Sequence, residues 1–237
     1  MTPLAEDITR YRAAHERVLG RIEAAAARVA RDAGSVQLVG VSKTVPLEQL
    51  RAAVAAGITV LGENRVQEAM SKIAGLPSAE WHLIGQLQGN KAGRALEFFD
   101  VIQSVDSVGL AERLSRLSSQ VGGSPQRVLL QVNVDADPAK AGFLPGSLDE
   151  ALSRLLELTG LQVEGLMTVG RYVERAEDAR PTFVSLRRLS ERLRAGHPGL
   201  GGQLSMGMSL DFEIAVEEGS TIVRVGRALF GDRLVVT

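Results

Sequence analysis

Eight short strand-like runs, most of them β-branched, recur along this chain with segments of helical spacing between them, and that alternation constrains the fold more than any other feature. The runs are QLVGVS, ITVLGE, WHLIGQ, DVIQSV, RVLLQVNV, LQVEGLMTV, QLSMG and TIVRVG. Helix-like stretches separate them at 47–56, 65–74, 91–99, 108–120, 147–159, 176–195 and 210–218. Gly57, Gly160 and Gly219 stand where a helix should end before its next strand. Strands joined through helices must lie parallel, because a parallel pair needs a crossover. Eight such units close a barrel, and 237 residues approaches the ~250 usual for that fold. A doubly wound open sheet is the alternative, but no GxGxxG follows the first run. The expected fold is therefore α/β, a single (β/α)8 TIM barrel with an extra N-terminal helix. That helix is predicted over 4–33, with Ile8, Tyr11, Val18, Ile22 and Val29 on one face and Gly34 as its stop. The expected division is a helix at 1–34 and a barrel at 36–237, in one domain without a linker.

Composition narrows the function classes. A formal net charge of -1 leaves no electrostatic footprint for nucleic acid or an anionic membrane. With no cysteine, disulfide and thiolate chemistry are excluded. His15, His82 and His197 lack ligand spacing, so no metal is expected. The opening MTPLAEDITRYRAAHERVLG mixes both charges and has no apolar region of signal-peptide type, and no apolar run approaches the roughly 18 residues that span a bilayer. A cytoplasmic protein is the default expectation.

Of 27 basic residues only Lys43, Lys72, Lys91 and Lys140 are lysines, which directs attention to each. Barrel enzymes place function at the C-terminal ends of strands, and Lys43 falls at the end of the first run. By the period of two, Val39, Val41 and Lys43 share a face, which would hang the lysine over the barrel mouth. One reading is a lysine snorkelling to solvent. The other is a Schiff-base lysine, since a desolvated amine holds its proton less tightly and its neutral form attacks an aldehyde. Downstream, LSMGMSLDFEIAVEEGS sets Ser205, Gly207 and Ser209 between a strand and a helix. Small residues there let backbone amides approach an anion at the helix N-terminus, at the position where barrels commonly hold phosphate. Gly226 and Arg227 would supply the other half of the cradle; the plainer reading is that Ser209 caps a helix. Arg224 lies between two valines in the last run and shares a face with Ile222 and Gly226. A buried arginine needs an acceptor, either a carboxylate such as Glu63 or a ligand ring nitrogen. An amine for an aldehyde, a phosphate cradle and a cation for a ring nitrogen together match pyridoxal 5′-phosphate (PLP).

The chain also resembles the pyridoxal phosphate homeostasis proteins, small barrels similar to the N-terminal domain of alanine racemase. The resemblance spans nearly the whole chain from about Gly40 and rests on VGVSK, LGENRVQEA, WHLIGQLQGNK, AKAGF, GLMT, LSMGMSLDFEIAVEEGS and VRVGRALFG, in that order. It implies the type III fold of PLP proteins, with Lys43 as the Schiff-base lysine, Asn64 beside the cofactor and Met167 near its ring. It implies further that Ser205, Met208, Ser209, Gly226 and Arg227 hold the phosphate while Arg224 faces the pyridine nitrogen. Lys91 and Lys140 match family lysines near the mouth without a defined role. Gln86, where other members often carry histidine or proline, and the VGRY after GLMT depart from the pattern and bear on substrate-side contacts.

The resemblance implies a protein of PLP homeostasis that buffers or delivers the cofactor, with no established reaction. Its partners would be PLP and PLP-dependent apoenzymes, and the expected state is a monomer. A racemase needs acid/base groups on both faces of the substrate Cα, and the tyrosines available are Tyr11 and Tyr172. An arginine at the pyridine nitrogen discourages ring protonation. Two alternatives stand beside the carrier: a racemase-like enzyme using Tyr172 or Lys140 as second base, and a Schiff-base aldolase without cofactor.

Overall fold

A computed structural model describes residues 3–231. Its elements run α1 (Pro3–Arg28), β1 (Gln37–Val41), α2 (Leu47–Ala55), β2 (Val60–Glu63), α3 (Val66–Ile73), β3 (Glu80–Leu83), α4 (Ala92–Phe98), β4 (Val101–Val105) and α5 (Val108–Val121). They continue as β5 (Gln126–Gln131), α6 (Pro145–Leu156), β6 (Leu161–Met167), α7 (Arg180–Gly196), β7 (Gln203–Ser205), α8 (Phe212–Glu217), β8 (Ile222–Val225) and α9 (Arg227–Phe230). All strand pairs are parallel, and the order β1 to β8 closes into a barrel through β1 and β8, with Gln37 opposite Ile222 and Gly40 opposite Val225. The expected barrel and its N-terminal helix are therefore observed. Residues 232–237, assigned to the barrel from the sequence, lie outside the described residues.

Local chemistry sets the element ends. Ser107 accepts a hydrogen bond from the Leu110 amide and caps α5, while Pro145 opens α6, where its missing N–H is no loss. Gly57 and Gly219 take left-handed φ values of 100° and 94° after α2 and α8, as a helix stop requires. Gly160 differs from expectation. It stands beyond the end of α6, and a Cβ there would lie 2.2 Å from the Ser115 carbonyl oxygen, so its role is close approach to α5. Helix α1 ends before Gly34: Ala30 turns left-handed (φ 52°), Val29 is exposed, and Asp32 accepts from the Gly34 amide in a separate short turn. The short α9 was not read from the sequence.

Period-two alternation sorts the strand residues between two cores. Val39, Leu129, Met167 and Ile222 pack together inside the barrel, with Val60 against them. The outward-facing set, including Leu61, Trp81 and Val223, joins the helices. Near the N-terminal ends of the strands Arg127 bridges Glu80 (2.8 Å) and Glu164 (2.7 Å), closing that end with ion pairs. Helix α1 lies across α2, α8 and α9. It buries Val18 and Ile22 there, each worth about 1.5–3 kcal/mol. Arg21 and Arg28 add ion pairs to Glu213 and Glu217 on α8. Among the described residues no helix is long and apolar enough to cross a membrane.

Candidate functional site

The C-terminal mouth gathers most of the residues singled out from the sequence. Lys43 stands two residues beyond β1, in a turn closed by the Val45 amide donating to the Ser42 carbonyl (3.0 Å), and is half-buried. It is thus carried past the strand rather than at its tip. Asn64 directly follows β2 and is half-buried. It lines a cleft of about 410 Å³ with Arg65, Gln86, Gln88 and Lys91 between the loops after β2 and β3. Gln86 donates to Asp106 (3.2 Å). Met167 ends β6 fully buried in the inner core, forming the floor beneath the mouth.

Arg224 is the buried centre of the site. It sits opposite Val39 in the ladder, and the inner-core position of Ile222 fixes its own inward direction. Its Nη1 donates to Ser205 Oγ (2.6 Å) and its Nη2 to the Thr168 carbonyl (2.8 Å). Ser205 Oγ donates in turn to Gln103 Oε1 (2.6 Å), and Gln103 Nε2 donates to His82 Nδ1 (2.7 Å). That leaves the ring hydrogen on His82 Nε2, 3.2 Å from Glu80 Oε1. The relay from Arg224 through Ser205, Gln103 and His82 thus runs from the C-terminal end of β7 to Glu80 at the start of β3. The carboxylate alternative for Arg224 is not what the structure contains: Glu63 is hydrogen-bonded to Ser42 and Lys72 instead. Burial pushes the Arg224 guanidinium down to about 10, with Asp211 opposing the shift, so it remains a cation at neutral pH.

This network revises the reading of Ser205. Its hydroxyl is fully buried and engaged with Arg224 and Gln103, so it holds the arginine rather than facing an anion. The cradle expected around it consists of the loops after β7 and β8, tied together where the Gly226 amide donates to Ser209 Oγ (3.2 Å). Ser209 does not cap α8; Asp211 occupies that position and accepts from the Met208 amide (2.6 Å). Gly207 permits the bend, with φ 91°; a Cβ there would come within 2.5 Å of Ala215 Cβ. Met208 and Arg227 are exposed at the same junction, where α9 begins and its first amides lack intrahelical acceptors.

The remaining candidates fall around the rim. Lys140 belongs to the loop after β5, which Asn133 ties through the carbonyls of Asp137 (2.8 Å) and Lys140 (3.2 Å). Its Nζ lies 3.6 Å from Asp137 Oδ2. Tyr172, on the loop after β6, is 89% exposed, whereas Tyr11, on α1, is buried against α2 and α9 and donates to Gln49. A larger hollow of about 580 Å³ lies at the opposite end of the barrel, where the one ionisable side chain lining it, Glu164, is tied to Arg127. Thr168, Gln103 and His82 went unselected in the sequence. Thr168 acts through its carbonyl, which no residue type reveals, and the alternation of β3 and β4 was the only signal for the other two.

Comparison with known proteins agrees with the observed fold. Residues 18–234 match the family described as alanine racemase, N-terminal domain. The pyridoxal phosphate homeostasis protein of Aquifex aeolicus is 43% identical over 219 residues, covering 92% of this chain and 96% of its own. That of Pseudomonas aeruginosa is 39% identical over 236 residues, covering 98% and 97%. Among solved structures, PipY of Synechococcus elongatus with PLP bound superposes with a TM-score of 0.78 at 43% identity, covering 89% of this chain and 100% of that one. Alanine racemase of Clostridium difficile in complex with cycloserine has a TM-score of 0.72 at 12% identity, covers 97% of this chain and 60% of its own, and shares the fold alone. This chain belongs to the pyridoxal phosphate homeostasis protein family, built on the barrel of the alanine racemase N-terminal domain.

Proposed function

We propose that this chain binds PLP at the mouth of its barrel, as a Schiff base on Lys43, and buffers or delivers it without catalytic turnover of its own. The observation that carries this reading is the pairing of β1 with β8. It brings the Lys43 turn beside Arg224 and the Ser209–Gly226 junction, although some 180 residues separate them in the chain. The donor set fits the cofactor: a lysine amine, a buried cationic guanidinium, and hydroxyl and amide donors with Arg227. The names of the relatives and the PLP in the PipY structure support the same reading.

When bound, the cofactor supplies an aldehyde for a lysine amine and a phosphate dianion. Lys43 contributes the amine. Arg224 would donate to the ring nitrogen, and a fixed cation there withholds a proton from it, which favours retention over reaction. Ser209, the backbone from Gly207 to Met208, Gly226 and Arg227 would orient the phosphate. Asn64 and Met167 would border the ring. The racemase-like alternative gains no support from the tyrosines, one buried on α1 and the other standing in solvent. On this reading the clients are PLP-dependent apoenzymes, and the protein works as a cytoplasmic monomer that contacts neither nucleic acid nor membrane.

Borohydride reduction of the PLP-incubated protein followed by peptide mapping tests the assignment. The pyridoxyl group is expected on Lys43; its appearance only on Lys91 or Lys140 would overturn it. A purified protein that stays colourless after PLP addition would favour the aldolase reading.

A further inference from the structure

The chain segment that carries Lys43 is gripped on both sides by a buried ionic cluster outside the barrel. Lys72, on α3, directs all three of its donors inward: to the Ser42 carbonyl (2.9 Å), Glu63 Oε1 (2.7 Å) and Glu68 Oε1 (2.8 Å). Glu63 Oε1 also accepts from Ser42 Oγ (2.6 Å), and Glu68 Oε1 from the Thr44 amide (2.6 Å). Both chain neighbours of Lys43 therefore end on the same ammonium group, Ser42 directly and Thr44 through Glu68. Partial burial would raise the Glu68 carboxyl, yet Lys72 and the Thr44 amide pull it below its ordinary value.

Two features argue that this cluster serves placement rather than stability. First, Thr44 adopts φ 66°, left-handed backbone that a β-branched residue rarely takes. Such a conformation persists where its surroundings over-determine it. Second, the ion pair is expensive. Glu63 is fully buried, its Oε2 has no hydrogen-bond partner among the described residues, and Lys72 is only 7% exposed. A buried pair of this kind is often no more stabilising than apolar side chains of the same size. What those side chains could not do is hold a carbonyl on one side of Lys43 and, through a carboxylate, an amide on the other.

We propose that Lys72, with Glu68 as its relay, is a positioning residue for Lys43, fixing the Ser42–Val45 turn so that the lysine amine meets the cofactor aldehyde. The proposal rests on the PLP reading above. The test compares two ligands. PLP can condense with Lys43, whereas pyridoxine 5′-phosphate has the ring and phosphate but no aldehyde. Lys72→Met is combined with Glu63→Gln, so that no lone charge is left buried and the amide oxygen still accepts from Ser42. The double variant should lose at least about 10-fold in Schiff-base formation, followed by its visible absorption, because a hydrogen bond to a charged group is removed from the turn. Pyridoxine 5′-phosphate should bind within about twofold of wild type, since its contacts lie on other strands. Should the double variant fail to fold, Glu68→Ala and Glu68→Gln give the same comparison at a partly exposed position: glutamine keeps an acceptor for the Thr44 amide and should restore Schiff-base formation, and alanine should not. Unchanged Schiff-base formation, or equal losses for both ligands, overturns the proposal. Absence of a Lys43 adduct in wild type would instead overturn the PLP reading itself.

Discussion

Ser205→Ala separates the two roles that the Ser205 hydroxyl could play. The hydroxyl is fully buried, accepts from Arg224 Nη1 at 2.6 Å and donates to Gln103 Oε1 at 2.6 Å. Its removal leaves a charged donor short of one acceptor and a buried amide oxygen short of one donor, while the volume lost is a single atom. Each unsatisfied partner costs about 1–3 kcal/mol, so a destabilisation of about 3 kcal/mol is expected after some relaxation. For a chain of this size that lowers Tm by roughly 6–12 °C. The consequence for ligands is more diagnostic. If the serine positions Arg224, PLP and pyridoxal should weaken by the same factor, about tenfold for each 1.4 kcal/mol. Titrating both into wild type and variant measures that ratio, with circular dichroism melts run alongside. Loss of PLP affinity with pyridoxal unaffected would show that Ser205 contacts phosphate, and the positioning argument would fall. An unchanged Tm would refute the hydrogen-bond chain altogether.

Ser209→Ala should behave in the opposite way, weakening PLP about tenfold and leaving pyridoxal nearly unchanged. In wild type, pyridoxal should bind at least ~100-fold more weakly than PLP, because several charge-assisted contacts to phosphate are each worth roughly 1.5–3 kcal/mol; equal affinities would dismiss the cradle. The Glu80 carboxyl is held down to about 2 by its hydrogen bond to His82 and by Arg127, against partial burial. Its folded value lies below the unfolded 4.5, so its stabilisation is complete above that pH and is lost as pH falls from 4.5 toward about 2. Glu80→Gln should therefore lower the urea midpoint at pH 7 and flatten its acid limb, and an identical pH dependence would refute this linkage. Gly207→Ala forces a Cβ to within 2.5 Å of Ala215 and 2.9 Å of the Phe212 backbone at φ 91°. A loss of about 2–4 kcal/mol in urea unfolding is expected, and a neutral result would mean the loop relaxes freely.

The barrel was legible because its two periods, two for strands and 3.6 for helices, are properties of neighbouring residues along the chain. Alternation alone directed Arg224 inward with Ile222, and the strand-end position of VGVSK marked Lys43 before any contact was known. What alternation cannot supply is the identity of a side chain's partner on another strand. The Ser205 hydroxyl reads as an anion ligand in SMGMS until barrel closure places Arg224 and Gln103 on either side of it. His82 reads as an isolated imidazole until Gln103 on β4 and Glu80 on its own strand fix its tautomer. Lys72 looks like a surface lysine on an amphipathic helix until α3 packs over the end of β1 and it binds Ser42, Glu63 and Glu68. Hydrogen bonds act over about 3 Å, so their pairing depends on the register and closure of all eight strands, and only the folded barrel brings these donors and acceptors within that range.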